Sequence, residues 1–410
     1  MLATLTLPLL LALPAQTPCD AEAWSEDALF LVEELERLHP DPWFGCPREE
    51  FETALDAFLQ GLDGQEEDRA RAEFLRLFAK LSQGGRDGHS IAWPMTGRAL
   101  PVQLYGFVDG WYVVDALAPE TSGARVVALG GVPVEEAAER LAPLLTRDNE
   151  WNLRAKLAAA LTSPELLAGI GIACPPEGVQ LELERDGRRE SLALAPVSGN
   201  HAFLGFRPLP ARAGARWLDG REAAYRLEVL PAERTLYVQY NEVTARDRDG
   251  RALAEFVQEL ARTFQERDLT RLVIDVRSNG GGDNTTFRPL IEALKRPPFE
   301  AHGTTFVLIG RYTFSAAGNF VTTVERETKA ILVGEPTGGA PNQYGDARTV
   351  ELPHHRDLLV RVSTRHHVFA RADDPRLTHE PHVSVPLRAA DYFAGRDPVL
   401  AAALAYVPPK

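Results

Sequence analysis

Beyond residue 213 the sequence alternates between short apolar runs and amphipathic stretches, and this alternation is its strongest constraint on fold. Runs at 236–240, 272–276, 305–309 and 330–333 read as strands, and 251–264, 285–294 and 316–328 read as the helices between them. Strands separated by helices need crossover connections, which build a mainly parallel sheet with helices on its faces, an α/β architecture. Ligands on such sheets sit beyond the carboxyl ends of the strands, so the segments that follow each strand are where chemistry is expected.

Three loops meet that expectation or complement it. Arg277-Ser278-Asn279-Gly280-Gly281-Gly282-Asp283-Asn284 follows the second strand and is expected to open a helix at Thr285. Its glycines allow backbone N–H groups to approach a bound group closely. Neither phosphate-binding spacing, G-x-x-x-x-G-K-[ST] nor G-x-G-x-x-G, is present, and an oxyanion hole suits the same geometry. Gly310-Arg311-Tyr312-Thr313-Phe314-Ser315-Ala316-Ala317-Gly318 follows the third strand and places Ser315 at a helix start. The serine is either a presented nucleophile, with the Ala316 N–H beside it, or an ordinary N-cap. The third loop lies far upstream, at Asp87-Gly88-His89-Ser90, where His89 is either a general base or a hydrogen-bonded core histidine.

The chain ahead of residue 213 has a different texture. Three amphipathic helices are expected: one with Leu31, Leu35 and Leu38, one over 48–62 with Phe51, Leu55, Phe58 and Leu62 on one stripe, and one with Phe74, Phe78 and Leu81. A β-rich region follows, with Asp109-Gly110 as a hairpin turn, then a strand at 126–129, a Gly130-Gly131 turn and a helix over 134–145. That order is similar to a degenerate PDZ-type module. Arg207-Pro208-Leu209-Pro210 reads as a linker, giving units at 20–97, 98–212 and 213–410.

Composition narrows the partners. The 410 residues include 58 acidic and 44 basic side chains, a net charge of −14, which repels nucleic acid and anionic membrane surfaces. The apolar run over 2–15 is broken by Pro8 and is shorter than the ~20 residues of a membrane span. It reads as a signal peptide over 1–16 cleaved near Ala15, implying a secreted or periplasmic protein. Cys19, Cys46 and Cys174 permit one disulfide at most, and no C-x-x-C pair is present. Of the ten histidines, His354, His355, His366, His367, His379 and His382 crowd the last sixty residues, but without an H-E-x-x-H helix. No metal and no cofactor is implied.

Residues 272–282, the loop from Tyr312 to Gly318 and Gly334-Glu335-Pro336-Thr337-Gly338-Gly339 resemble, in order and spacing, the tail-specific or C-terminal processing peptidases. Asp87-Gly88-His89 and His39-Pro40 extend the similarity over nearly all of the chain. The resemblance implies a ClpP/crotonase-like core and hydrolysis of a peptide or protein substrate through an acyl-enzyme on Ser315. In the processing branch a lysine activates the serine, but Ala340 stands at that turn. His89 stands where the tricorn-like branch places its histidine base, although Gly88 replaces the polar residue that precedes it there. That branch implies a carboxylate nearly sixty residues after the serine, at Asp374, with Asp373 or Glu380 as alternatives. Gly280 or Gly281, with Ala316, would supply the oxyanion donors. The fold is also used without proteolysis, in the interphotoreceptor retinoid-binding modules, so a ligand- or peptide-binding protein is the alternative. A histidine base begins near ~6.5, so activity is expected to rise with pH through ~6 to 7.

Overall fold

A computed structural model describes residues 17–198 and 209–407; the expected signal peptide and the first half of the expected linker lie outside the described residues. The sheet foreseen beyond residue 213 has six strands. Its order is Tyr225–Leu230, Thr235–Tyr240, Arg271–Asp275, Thr305–Ile309, Ile331–Gly334, Val383–Ser384. The first pair is antiparallel and the other four are parallel. The middle strands are buried almost continuously because both faces are covered, as parallel sheets require. Leu236, Val238, Leu272, Ile274, Val307 and Ile309 pack with Phe256, Leu260, Leu290, Phe320 and Val324 of the helices Leu253–Glu266, Arg288–Leu294 and Ala316–Glu327. The alternate residues Tyr237, Val273, Phe306 and Leu308 face Val399, Leu400 and Ala403 of the helix Pro398–Ala405.

One element departs from expectation. The helix foreseen from Thr285 begins at Arg288, with proline in its first turn. The Asp283 carboxylate accepts from the Thr285 backbone N–H (2.9 Å) and hydroxyl (2.7 Å), a local turn that competes with helix. The glycine run therefore leads into a turn and not directly into a helix.

The upstream helices Ala21–Leu38, Arg48–Gln60 and Glu67–Ala79 bury the expected stripes, including Leu31, Leu35, Phe51, Phe58, Phe74 and Phe78. They share one core with an antiparallel sheet ordered Val102–Phe107, Gly110–Ala116, Arg125–Leu129, Val179–Arg185, Arg188–Leu194. A third sheet carries the long-range connection that matters most for function. Ile91–Pro94, directly after the histidine loop, pairs antiparallel with Leu358–Val362, far along the chain. The three cysteines are unpaired thiols. Among the described residues no helix is long and apolar enough to cross a membrane.

Two buried arginines fix the strand ends that launch the loops. Arg277 lies between Asp275 and Asp397, with its guanidinium 4.7 Å from the Trp217 ring centre. Arg311 pairs with Glu335 at 3.1 Å and donates to the Gly106 carbonyl of the antiparallel sheet at 2.6 Å. Buried charges of this kind are tolerated because each is paired and hydrogen-bonded.

Candidate active site

The glycine and serine loops are clasped together by Asn279 and Thr313. Asn279 is fully buried; its amide donates to the Tyr240 carbonyl (2.8 Å), and its carbonyl accepts from the Phe314 N–H (3.1 Å). Its side-chain oxygen accepts from the Gly281 N–H at 2.9 Å. Thr313 bridges back through its hydroxyl to the Val276 carbonyl at 2.9 Å. Gly281 has φ +116°, and a β-carbon there would lie 2.6 Å from Ser315 Cβ and 3.0 Å from the Ala316 nitrogen. Only glycine permits that approach.

Ser315 does not behave as a cap. It occupies the N-cap position of Ala316–Glu327, yet its side chain makes no capping hydrogen bond, and its backbone is held at φ 53°, ψ −128°. A positive φ at a non-glycine residue costs on the order of 1–3 kcal/mol and persists only where surrounding contacts enforce it. The enforcing contacts are the Asn319 N–H and the Gln343 side-chain amide, which both reach the Ser315 carbonyl, at 3.1 and 3.0 Å. As first residue of the helix, Ala316 has an N–H with no intrahelical acceptor. Of the two glycine candidates, Gly281 has its N–H engaged by Asn279, whereas Gly280 is exposed.

The histidine loop reaches this point from the other end of the chain. The His89 ring stacks on Phe314, the residue before Ser315, with centroids 4.4 Å apart and planes inclined by 25°. Its Nδ1 is buried without a hydrogen-bond partner. Burial pushes the imidazole down to about 4, with Lys156 and His367 acting in the same sense, against Asp87 and the Tyr344 backbone. His89 is thus neutral at neutral pH, and the ionisation expected at ~6 to 7 is displaced downward because a charged ring there loses its water.

Asp148, which the sequence reading did not single out, holds the loop in place. One carboxylate oxygen accepts from the Gly88 N–H at 2.5 Å, and the other accepts from the Ala340 N–H at 3.0 Å. Its carbonyl accepts from the Arg86 N–H at 2.9 Å. The departure at Gly88 has a steric cause: a β-carbon there would lie 2.7 Å from Asn152 Oδ1 and 3.1 Å from Asp148 Oδ1. Lys156, also buried, donates to the Gly88 carbonyl at 2.8 Å and the Thr146 carbonyl at 2.7 Å. The signal for Asp148 in the sequence is weak, because Asp148-Asn149 before a helix reads as ordinary capping, a role Asn149 does perform.

The acidic candidates do not come to the histidine. Asp374 places its carboxylate on the Arg376 guanidinium at 2.9 Å, and Asp373 pairs with Arg371 at 3.1 Å. Glu380 is exposed. The groups that act on His89 are Asp87, Lys156, His367 and the Tyr344 backbone, and none of the three is among them. The arginines two residues from each aspartate explain the difference. The crowded C-terminal histidines also separate: His366 stacks on Tyr344, His379 lies between Glu325 and Thr322, and His355 stacks on Trp24. Among the described residues no group of three metal-ligating side chains is assembled.

The chain shares its fold with CPAF. It is similar to mature CPAF complexed with lactacystin, at 14% identity over 92% of this chain and 96% of that one, with a TM-score of 0.63. Mature CPAF alone gives 13% identity, coverage of 92% and 95%, and a TM-score of 0.61. A photosystem II D1 C-terminal processing protease matches more loosely, at 14% identity, coverage of 88% and 93%, and a TM-score of 0.39. No protein-family model and no curated protein matches the sequence.

The Asp148 bridge yields a test. Burial raises this carboxyl from 3.8 to about 7, so the folded state keeps a proton that an unfolded chain releases near 3.8. Its contribution to global stability consequently declines as pH rises through that interval. Locally the effect is opposite, because a protonated carboxyl has one acceptor oxygen fewer for the two N–H groups. Hydrogen-exchange protection factors of Gly88 and Ala340, corrected for intrinsic exchange, should fall together below pH about 7. Protection independent of pH between 5 and 8 would contradict the bridge.

Proposed function

We propose that the chain is a serine peptidase that hydrolyses peptide bonds through an acyl-enzyme on Ser315. The observation that carries this reading is the conformation of Ser315, held at positive φ, released from capping and pressed against Gly281. His89, neutral at working pH, takes the Ser315 proton as Oγ attacks the scissile carbonyl, and later returns it to the leaving amine. The Gly280 and Ala316 N–H groups face the oxyanion, where each such donor is worth about 10² to 10³ in rate. Water then attacks the ester with His89 again as base.

The wider assignments belong to the same proposal. Residues 20–97 carry the histidine, 98–212 form a PDZ-like module and 213–410 the ClpP/crotonase-like peptidase core, all behind an export signal at 1–16. The substrate is a peptide or protein, and the site of action is the periplasm or the extracellular space.

Labelling of the purified protein with a fluorophosphonate, followed by peptide mapping, tests the nucleophile. The adduct is expected on Ser315, and Ser315→Ala should lose labelling and about 10⁶ in kcat while folding normally. Turnover retained by a variant that only melts earlier would restore the capping role.

The base is tested by its own titration. In the Ser315→Ala protein the ring resonances of His89 should titrate near 4. A titration at the ordinary histidine value of ~6.5 would show that the ring is solvated and not the enclosed base described above.

A further inference from the structure

A base that must meet a nucleophile needs its ring fixed in place, since a displacement of about 1 Å can cost on the order of 10² in rate. The His89 ring is not fixed through its buried nitrogen, because Nδ1 has no hydrogen-bond partner. Its placement against Phe314 is set by the backbone on either side. That backbone is gripped by residues 146–156, which enter the helix Glu150–Ala160.

Lys156 is the buried cation at the centre of the grip. Its ammonium donates to the Gly88 carbonyl at 2.8 Å, the Thr146 carbonyl at 2.7 Å and the Thr146 hydroxyl at 3.4 Å, so each of its three protons has an acceptor. The Gly88 carbonyl belongs to the peptide bond that enters His89, and the Gly88 N–H is taken by Asp148 at 2.5 Å. On the far side of His89, the Ser90 carbonyl accepts from the Thr146 hydroxyl. The carbonyls of both neighbours of His89 are thus held by Lys156 and Thr146, which are bonded to each other. Taking an ammonium out of water is costly, and these acceptors are all neutral oxygens. Burial pushes the ammonium down to about 8, with Asp148 and Asp87 opposing the fall, so it stays charged at neutral pH.

The same side of the helix reaches toward the serine. Asn149, Asn152 and Lys156 are spaced by three and four residues and so share one face of the helix and its cap. Asn152 Oδ1 would lie 2.7 Å from a β-carbon at Gly88, and the Asn149 amide donates to the Thr337 and Gly338 carbonyls at 3.1 and 3.2 Å. The next residue, Gly339, donates its N–H to the Thr313 carbonyl at 3.0 Å, and a β-carbon on it would lie 3.4 Å from the Ser315 nitrogen. One helix face therefore grips the histidine loop and the turn packed against the serine loop.

We propose that Lys156 is the positioning residue of His89, its charged ammonium holding the Gly88 carbonyl so that the ring stands in register with Ser315 for proton transfer. This deepens the peptidase reading and rests on it.

The test uses the full chain and a fluorophosphonate probe, with the limiting rate of Ser315 phosphonylation and the half-saturating probe concentration measured separately. Lys156→Met should lower the limiting rate by on the order of 10² and leave half-saturation within about twofold, because the probe still binds beside a misplaced base. Leu153→Ala, a core truncation in the same helix, should melt earlier yet label at the wild-type limiting rate. Should Lys156→Met fail to fold, Thr146→Val decides. It keeps the shape, removes the hydroxyl shared by Ser90 and Lys156, and is expected to lose about tenfold in limiting rate alone. A wild-type limiting rate in folded Lys156→Met or in Thr146→Val, a loss carried by half-saturation, or an equal loss in Leu153→Ala would overturn the assignment. Wild-type protein that is not labelled at Ser315 would instead remove the peptidase reading beneath it.

Discussion

The contact between Gly281 and Ser315 is the constraint around which the site is arranged. No β-carbon fits between them, and the serine backbone is held in a conformation that an isolated chain would avoid. Such strain survives only because the surroundings over-determine it. Asn279 ties the glycine loop to the serine loop, Thr313 ties the serine loop to Val276 just beyond the strand Arg271–Asp275, and Gln343 donates to the Ser315 carbonyl. Behind them the parallel sheet supplies rigid strand ends, each secured by a buried arginine pair.

Histidine delivery solves a separate problem, since His89 lies at the opposite end of the chain from Ser315. Two devices bring it across. The strand after the histidine pairs with Leu358–Val362, which fixes the loop in register with the C-terminal third of the chain. Asp148 then bridges Gly88 to Ala340, the turn at which the processing branch would carry lysine. The histidine and the serine thus belong to one hydrogen-bonded frame, and the ring's stacking on Phe314 follows from it.

The strands and helices beyond residue 213 were legible because parallel strands buried on both faces read as unbroken apolar runs, and the crossover helices show clear stripes. The glycine and serine loops were legible for the same reason, as they follow directly from strand ends. The helix start at Thr285 misled because Asp283 makes a side-chain turn that looks like a cap. Asp374 misled because spacing from the serine says nothing about Arg376, which takes the carboxylate. The role of Asp148 was hidden, since its partners Gly88 and Ala340 are distant in sequence and are both backbone groups.

On the proposed peptidase reading, Ser315, Gly280 and Ala316 form one reaction centre. The measurement that addresses it most directly is a crystal structure of the protein inactivated by a fluorophosphonate. Phosphorus is expected on Ser315 Oγ, with one phosphoryl oxygen about 2.7–3.1 Å from both the Gly280 and the Ala316 nitrogens. An adduct on Ser315 whose oxygen points to solvent, or an adduct on another residue, would contradict it.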